Sequence, residues 1–133
     1  MQADTRTLGR WTVQDVVPDT SVHAHVEVRE LQFDPRGTHV THVRLYGGKG
    51  AKIVGTVHDD EHETIYVLRG NVVADIDGQR HYGSPGTIFN IPAGATHGYT
   101  PIAPTMPELI MANSFGTEPG VVELLAIYNP TEF

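Results

Sequence analysis

The stretch from Gly55 to Gly70, GTVHDDEHETIYVLRG, joins two different sequence patterns. Residues 58–63, HDDEHE, contain two histidines and four acidic residues, and residues 64–68, TIYVL, have the composition of a buried strand. Ionised groups are costly to bury unless they are paired or bind a metal. The stretch is therefore either a solvated loop before a strand, or a site at the strand end that needs imidazole and carboxylate together.

The composition limits which kinds of site are available. The chain has 133 residues, a common size for one domain, and an ordinary globular share of apolar residues, 39%. It contains no cysteine and eight histidines, so a metal site would have to use His, Asp or Glu. The net charge of −7 argues against nucleic acid or an anionic membrane surface as a partner. With no long apolar run and no signal-like segment near the N-terminus, we expect a cytoplasmic protein.

Short β-branched runs between turn residues cover most of the chain, which predicts an all-β domain. Asp77-Gly78 is a two-residue hairpin signal between alternating segments. Residues 109–115, LIMANSF, are interpreted as a strand, and the proline-rich residues 101–107 as a loop at the rim of a barrel. The only weak helix candidate is near residues 11–17.

The first twenty residues are interpreted as a lead-in arm. An open barrel of this size leaves strand edges that natural proteins cover. The arm could cover the edge of a neighbouring subunit, so we expect a homodimer.

Period-two alternation indicates which polar side chains share a face. Thr56 and His58 fall on one face of their strand, and Glu63 falls on the same face as Ile65 in the next. Far along the chain, His97 follows a Pro-x-Gly turn. If the strand of His97 pairs alongside, then His58, Glu63 and His97 could converge.

These residues carry a resemblance to a known family. The spacing from Gly50 to Gly70, G-x5-T-x-H-x4-E-x6-G, resembles the first motif of the cupins, and Gly86, Pro92, Gly94 and His97 resemble the second. The resemblance implies one cupin domain over residues 1–133, with an N-terminal arm at 1–20 and motifs at 50–70 and 86–101. It also implies a jelly-roll-like antiparallel barrel whose mouth holds a divalent metal on His58, Glu63 and His97. Two histidines and one carboxylate with open positions suit Fe(II), which we favour, although Mn, Ni, Co or Zn also fit.

Two positions depart from the family pattern. Thr56 stands where a first histidine is usual, and Pro101 stands where the second motif often ends in Asn. Three outcomes follow: a site with three protein ligands, a site completed by another histidine such as His62 or His42, or a site without a metal. Simple alternation points His62 away from the face that carries Glu63.

Several other polar residues are candidates for the pocket. Tyr99 shares the face of His97 and could act as a donor or acid, and His42 could handle protons. Arg44, Thr56 and Asn113 could contact substrate. The alternative for His42 and Arg44 is that both face outward as ordinary surface residues.

Three hypotheses about function remain open. The first is a metal-dependent enzyme that acts on a small organic molecule, with a dioxygenase-type reaction at a 2-His-1-Glu iron site. Its runner-up is a non-oxidative metal-dependent isomerase, lyase, dehydratase or polyketide cyclase. The third is a barrel that binds a small molecule without catalysis.

Overall fold

A computed structural model describes residues 3–8, 11–16, 18–20, 24–33 and 37–131. Eleven strands and one α-helix lie in these residues, together with a short 3₁₀ turn at Gly47–Lys49. The elements are β1 Ala3–Leu8, β2 Trp11–Val16, β3 Val26–Phe33, β4 His39–Tyr46, β5 Ile53–Thr56, β6 Glu61–Arg69, β7 Val72–Ile76, β8 Gln79–Gly83, β9 Ile88–Ile91, β10 His97–Pro101, α1 Met106–Phe115 and β11 Val121–Pro130.

The strands form two main antiparallel sheets and a separate hairpin. One sheet has the order β3-β4-β11-β6-β9, the other has the order β5-β10-β7-β8, and β1 pairs only with β2 among the described strands. All pairings are antiparallel. This architecture confirms the predicted all-β, jelly-roll-like fold.

The core lies between the two main sheets and is supplied by alternate residues of each strand. In β4 the inward positions are Thr41, Val43 and Leu45, while the intervening residues are only partly buried. Ile65 of β6 and Leu124 of β11 are 1% exposed and pack in the same cluster. This period of two makes the side chains at inward positions available for a shared site.

A bulge in β5 shapes the segment that leads to His58. His97 pairs with Thr56 and Tyr99 pairs with Ile53, so two residues of β5 lie opposite Gly98 alone. Gly55 adopts a left-handed conformation with φ of 55°, as a bulge of this kind requires. A side chain on Gly98 would place its Cβ 2.5 Å from the carbonyl oxygen of Ile53, so the close approach of β5 and β10 depends on glycine.

The hairpin prediction is confirmed, and two local predictions are wrong. Asp77 and Gly78 both have positive φ and connect β7 to β8. Residues 109–115 lie in helix α1 instead of a strand. The hydroxyl of Thr105 caps the helix at the amide of Glu108, and Gly116 ends it in the left-handed conformation.

The weak helix candidate at residues 11–17 is strand β2 as far as Val16, and Val17 lies outside the described residues. Among the described residues, no helix is long and apolar enough to cross a membrane.

Candidate metal centre

A cavity of about 250 Å³ opens between the two main sheets. Six of its lining side chains are aliphatic, and the polar ones gather around Glu63 and around His39. The lining residues are Val28, Glu30, His39, Thr41, Val43, Ile53, Thr56, His58, Glu63, Ile65, His97, Tyr99, Leu124, Ala126 and Tyr128.

Three potential metal ligands meet in this cavity: His58, Glu63 and His97. His58 follows β5, Glu63 lies near the start of β6, and His97 begins β10. Each offers one ligand atom, and these atoms lie within 4.8 Å of one another. Glu63 and His97 are both 3% exposed, whereas the side chain of His58 is 31% exposed at the open side.

The hydrogen bonds around His97 fix which nitrogen faces the cluster. Nδ1 of His97 lies 3.0 Å from the carbonyl oxygen of Ala95, which can only accept, so Nδ1 carries the hydrogen and donates it. In the neutral ring, Nε2 therefore presents its lone pair to Glu63. An imidazole held by a backbone carbonyl in this way is the usual arrangement of a metal-binding histidine.

The surroundings of the Glu63 carboxylate indicate that it needs a cation beside it. Its Oε1 accepts a hydrogen bond from the hydroxyl of Tyr99 at 3.3 Å. Its Oε2 lies 2.8 Å from Nε2 of His97 and 3.8 Å from Nε2 of His58, yet it is buried and makes no hydrogen bond of acceptable geometry. Lone pairs that face each other at such distances require a proton or a metal ion between them. The residues therefore fit a divalent metal.

Protonation gives the cluster another way to balance its charge. Burial lowers the pKa of His97, but the nearby carboxylate of Glu63 and the hydrogen bond to the backbone of Ala95 outweigh burial, and the net pKa is raised above its ordinary value. A metal ion would have to displace this proton, as metal binding to a histidine generally does.

The comparisons with known proteins agree with this geometry. A family profile described as "Cupin domain" matches residues 42–106. Residues 42–106 are therefore a cupin domain. The identity of the chain to quercetin 2,3-dioxygenase of Bacillus subtilis is 46% over 57 residues, which is 43% of this chain and 17% of that protein. The match thus spans about a sixth of the length of that relative.

Solved cupin structures share the fold at low sequence identity. A cupin described as RmlC-like from Shewanella frigidimarina superposes with a TM-score of 0.65 at 16% identity, covering 99% of this chain and 96% of that one. KdgF from Halomonas gives 0.64 at 18% identity, covering 89% of each chain. The polyketide cyclase RemF from Streptomyces resistomycificus gives 0.61 at 24% identity, covering 89% and 75%. These likenesses support the fold.

In this cupin, two further predicted site residues line the cavity. Thr56 pairs with His97 across β5 and β10, and Tyr99 lies two residues beyond His97 on the same face. Burial, reinforced by the charge of Glu63, raises the pKa of Tyr99 far above its ordinary value. Tyr99 is therefore placed to hold Glu63 by a hydrogen bond, and it is a poor proton donor near neutral pH.

The structure places His62 away from the three ligand candidates. Its side chain is exposed, and its Nδ1 accepts a hydrogen bond from the amide of Ala93 at 3.3 Å. Glu63 points inward, and the alternation of β6 directs its neighbour outward. The suggestion of His62 as a fourth ligand does not agree with this geometry.

His42 and Arg44 lie on the opposite face of their sheet from the cavity, so the suggested catalytic and substrate-binding roles need correction. Both contact Glu123 of β11: Nε2 of His42 lies 3.0 Å from Oε1, and Arg44 donates to the same oxygen at 3.0 and 3.1 Å. Burial raises the pKa of Glu123, but hydrogen bonds and charge from Arg44, with the charge of His42, outweigh burial and lower the net pKa. The cluster is an outer-face ion network.

Asn113 is also misplaced by the sequence prediction. It lies on helix α1, is exposed, and does not line the cavity. A helix replaces the expected strand here, so the alternation argument for Asn113 does not apply.

Sequence reasoning missed His39 and Tyr128, which both line the cavity. Their rings stack with centroids 4.6 Å apart and planes inclined by 14°, and Tyr128 also meets His58 edge-on at 5.3 Å. His39 shares the inward face of Val43 and Leu45, and these two apolar residues were the available signal for the face of β4 that points into the core. No local sequence pattern indicated that Tyr128 would line the cavity.

Proposed function

We propose that this cupin is a metal-dependent enzyme that acts on a small organic molecule, and that the reaction is of dioxygenase type. The convergence of His58, Glu63 and His97 beside a cavity carries the proposal. The 46% identity to a quercetin 2,3-dioxygenase over 57 residues supports the proposal, although the match covers only 17% of that relative.

The ligand set favours three protein ligands over four. Thr56 lines the cavity at the position where the first motif usually carries a histidine, and His62 faces elsewhere. Two imidazoles and one carboxylate would leave coordination positions open towards the cavity. Bound Fe(II) would supply Lewis acidity and redox chemistry towards O₂. Tyr99 would keep Glu63 in position from the protein side.

The cavity walls indicate an uncharged and largely apolar substrate. Six of the fifteen lining residues are aliphatic, and no lysine or arginine is among the lining residues that the structure describes. The lining does include two carboxylates, those of Glu30 and Glu63. Apart from the proposed metal ion, an anionic substrate would meet no lysine or arginine among the described lining residues to offset its lost hydration. An uncharged, largely apolar molecule fits this lining better.

A non-oxidative reaction is the second candidate, because the same donor set accepts Zn(II), Ni(II), Mn(II) or Co(II). Such an ion would polarise a carbonyl or stabilise an enolate, as an isomerase, lyase, dehydratase or cyclase requires. The ligand set accepts several metals and does not select one of them. The choice between the two candidates therefore depends on which metal the protein retains.

Metal analysis and oxygen uptake test both candidates together. The protein would be purified without a metal-affinity tag, and its metal content and O₂ consumption with quercetin as the probe would be measured. Stoichiometric iron with O₂ uptake supports the dioxygenase. Stoichiometric zinc or nickel without O₂ uptake supports the non-oxidative candidate.

A pair of histidine variants provides the control. His58→Ala should lose the metal, whereas His81→Ala, at an exposed position in strand β8, should retain it. A parent protein that stays metal-free after supplementation, and that behaves like His58→Ala, would contradict both candidates and leave a non-catalytic binding barrel.

A further inference from the structure

The imidazole rings of the two candidate histidine ligands are held in place by different means. Nδ1 of His97 donates a hydrogen bond to the carbonyl oxygen of Ala95, and the side chain is 3% exposed. His58 lies beyond the last residue of β5, and its side chain is 31% exposed. Its Nε2 is 3.8 Å from Oε2 of Glu63, beyond hydrogen-bonding distance, and no described residue makes a hydrogen bond to its ring. The orientation of this ring therefore depends on packing.

The ring of Tyr128 packs against the ring of His58. The two centroids are 5.3 Å apart and the planes are inclined by 67°, which is an edge-on contact. Rings at such distances favour this geometry, because the positive edge of one meets the negative face of the other. The ring of His97 also lies 5.4 Å from His58, but it belongs to the ligand set itself. Among the described residues, Tyr128 is the aromatic contact that reaches His58 from outside that set.

Tyr128 is in turn held by His39. The two rings are stacked, with centroids 4.6 Å apart and planes inclined by 14°. Nε2 of His39 lies 2.8 Å from Oε2 of Glu61, and its Nδ1 is buried and lies 3.3 Å from Oε1 of Glu30. Both nitrogens of this imidazole are thus engaged with carboxylates from two other strands. The ring of His39 is fixed, and its face supports the ring of Tyr128.

The strand register places Tyr128 beside the metal site. Tyr128 of β11 pairs with His39 of β4 on one side and with Glu63 of β6 on the other. Because neighbouring strands lie about 4.8 Å apart, the three residues form one row across the five-stranded sheet. His58 follows β5, which belongs to the other sheet. The contact between Tyr128 and His58 therefore joins the two walls of the cavity.

A ring that is already oriented makes a better metal ligand than a free one. A partly exposed imidazole has several rotamers, and fixing one of them when the metal binds costs conformational entropy. Side chains or carbonyls that orient a ligating histidine typically change the metal affinity by about 10–100-fold. The carbonyl of Ala95 is such a partner for His97. For His58, the described residues offer the ring of Tyr128 in the corresponding place.

We propose that Tyr128 is the positioning residue of His58, and that its ring replaces the hydrogen bond that would otherwise orient this ligand. His39, held by Glu30 and Glu61, keeps the ring of Tyr128 in place. A row of packed rings thus connects the carboxylates at the mouth of the cavity to the metal site. The assignment rests on the proposed function, because it takes His58 to be a metal ligand. It implies that the ring of residue 128, and not its hydroxyl, sets the metal affinity.

The test compares Co²⁺ binding by Tyr128→Phe and Tyr128→Leu. Co²⁺ suits this donor set, and its visible absorption changes with the number and geometry of its ligands. Tyr128→Phe retains the ring and should bind Co²⁺ with the affinity and spectrum of the parent. Tyr128→Leu removes the ring, so the affinity should fall by at least about tenfold, and the absorption of the bound ion should change because His58 is no longer held.

His39→Gln provides a second perturbation that leaves Tyr128 itself unchanged. The glutamine amide can still donate to Glu61, but it cannot stack on the ring of Tyr128 as an imidazole does. The Co²⁺ affinity should fall in the same direction as in Tyr128→Leu and by a smaller factor. This variant also tests the inference if Tyr128→Leu does not fold.

Val122→Ala is the matched control for a general loss of stability. Val122 lies on the same strand as Tyr128, is 1% exposed, and is not among the residues that line the cavity. Its truncation should lower the melting temperature and leave the Co²⁺ affinity and spectrum unchanged. The melting temperature of each variant shows that Co²⁺ binding is measured on folded protein.

The outcomes separate this inference from the proposed function. Folded Tyr128→Leu with parental affinity and spectrum overturns the role of Tyr128 and leaves the metal site intact, as does parental binding by His39→Gln if Tyr128→Leu does not fold. Tyr128→Phe that loses affinity like Tyr128→Leu also overturns it, because the hydroxyl would then be responsible. An equal loss in Val122→Ala would reduce the effect to stability and overturn it too. A parent that binds no Co²⁺ contradicts the proposed function, and the role of Tyr128 with it.

Discussion

Replacing Gly98 by alanine tests whether the bulge in β5 positions the metal site. A Cβ at this position would lie 2.5 Å from the carbonyl oxygen of Ile53 and 3.2 Å from Cα of Val54. Both neighbours are backbone atoms, so no side chain can rotate to relieve the contact. Because ordinary contacts begin near 3.4 Å, β5 would have to move away from β10 by almost 1 Å.

The cost follows from what holds β5 in place. Within the described residues, β5 pairs only with β10, through two residue pairs in all, one on each side of the bulge. Overpacking against backbone typically costs about 1–3 kcal/mol, and each lost backbone hydrogen bond adds about 1 kcal/mol. We therefore expect Gly98→Ala to lower the free energy of unfolding by about 2–4 kcal/mol. For a domain of this length, that corresponds to a fall in melting temperature of roughly 7–14 °C.

The functional consequence distinguishes this from a general loss of stability. β5 leads directly to Thr56 and His58, so its displacement should weaken metal binding by at least about tenfold at temperatures where the variant is fully folded. Calorimetry would give the melting temperature, and titration with a metal would give the affinity. Thr100→Ala, at an exposed position of β10, should change neither the melting temperature nor the metal affinity. If Gly98→Ala melts within about 2 °C of the parent and binds metal equally well, the bulge does not position the site.

Three further predictions follow from the same structure. A metal at one hundred times its dissociation constant should stabilise the parent by about 2.7 kcal/mol, or roughly 9 °C, and should not stabilise Glu63→Gln; equal shifts by scanning fluorimetry would exclude Glu63 as a ligand. Glu123→Gln should lower the free energy of unfolding by about 1–2 kcal/mol at pH 7, whereas exposed Glu118→Gln should not. Because the folded-state pKa of Glu123 lies below its usual 4.5, this stabilisation is present above pH 4.5 and is lost as the pH falls through the folded value. A difference in urea titrations that does not decrease as the pH is lowered below 4.5 would contradict the ion network. Sedimentation at micromolar concentration should show the proposed homodimer, and a monomer would refute it.

The candidate metal ligands were accessible from sequence through local alternation together with the resemblance to the two cupin motifs. Alternation placed Thr56 with His58 and Glu63 with Ile65, and the motif spacing linked them to His97. The structure brings these residues into one cavity. Turn chemistry was equally local, since Asp77-Gly78 adopts the positive φ values that such a hairpin needs.

Helix α1 shows where local pattern was insufficient. Its apolar residues do not lie on one face, and Leu109, Ile110, Met111 and Phe115 remain at least partly exposed, so the segment resembles a strand in composition. The signals that start and end the helix, Thr105 at the N-cap and Gly116 after the last turn, were present. Their effect was outweighed in the sequence interpretation by the prolines around residues 101–107.

By itself, the sequence determined the all-β class and the two motifs, because period-two alternation and turn residues act over a few positions, and the resemblance of those motifs to the cupins implied the three ligand candidates. Only the tertiary structure decided the rest of the site. The strand HVTHVRLY offers histidines to both of its faces, and the choice between His39 and His42 depends on which face meets the other sheet. Tyr128 stands between His39 and Glu63 because β11 pairs with both β4 and β6, and such pairing joins residues about ninety and sixty-five positions apart. Contacts at that separation are set by the packing of whole sheets, which no short stretch of the chain specifies.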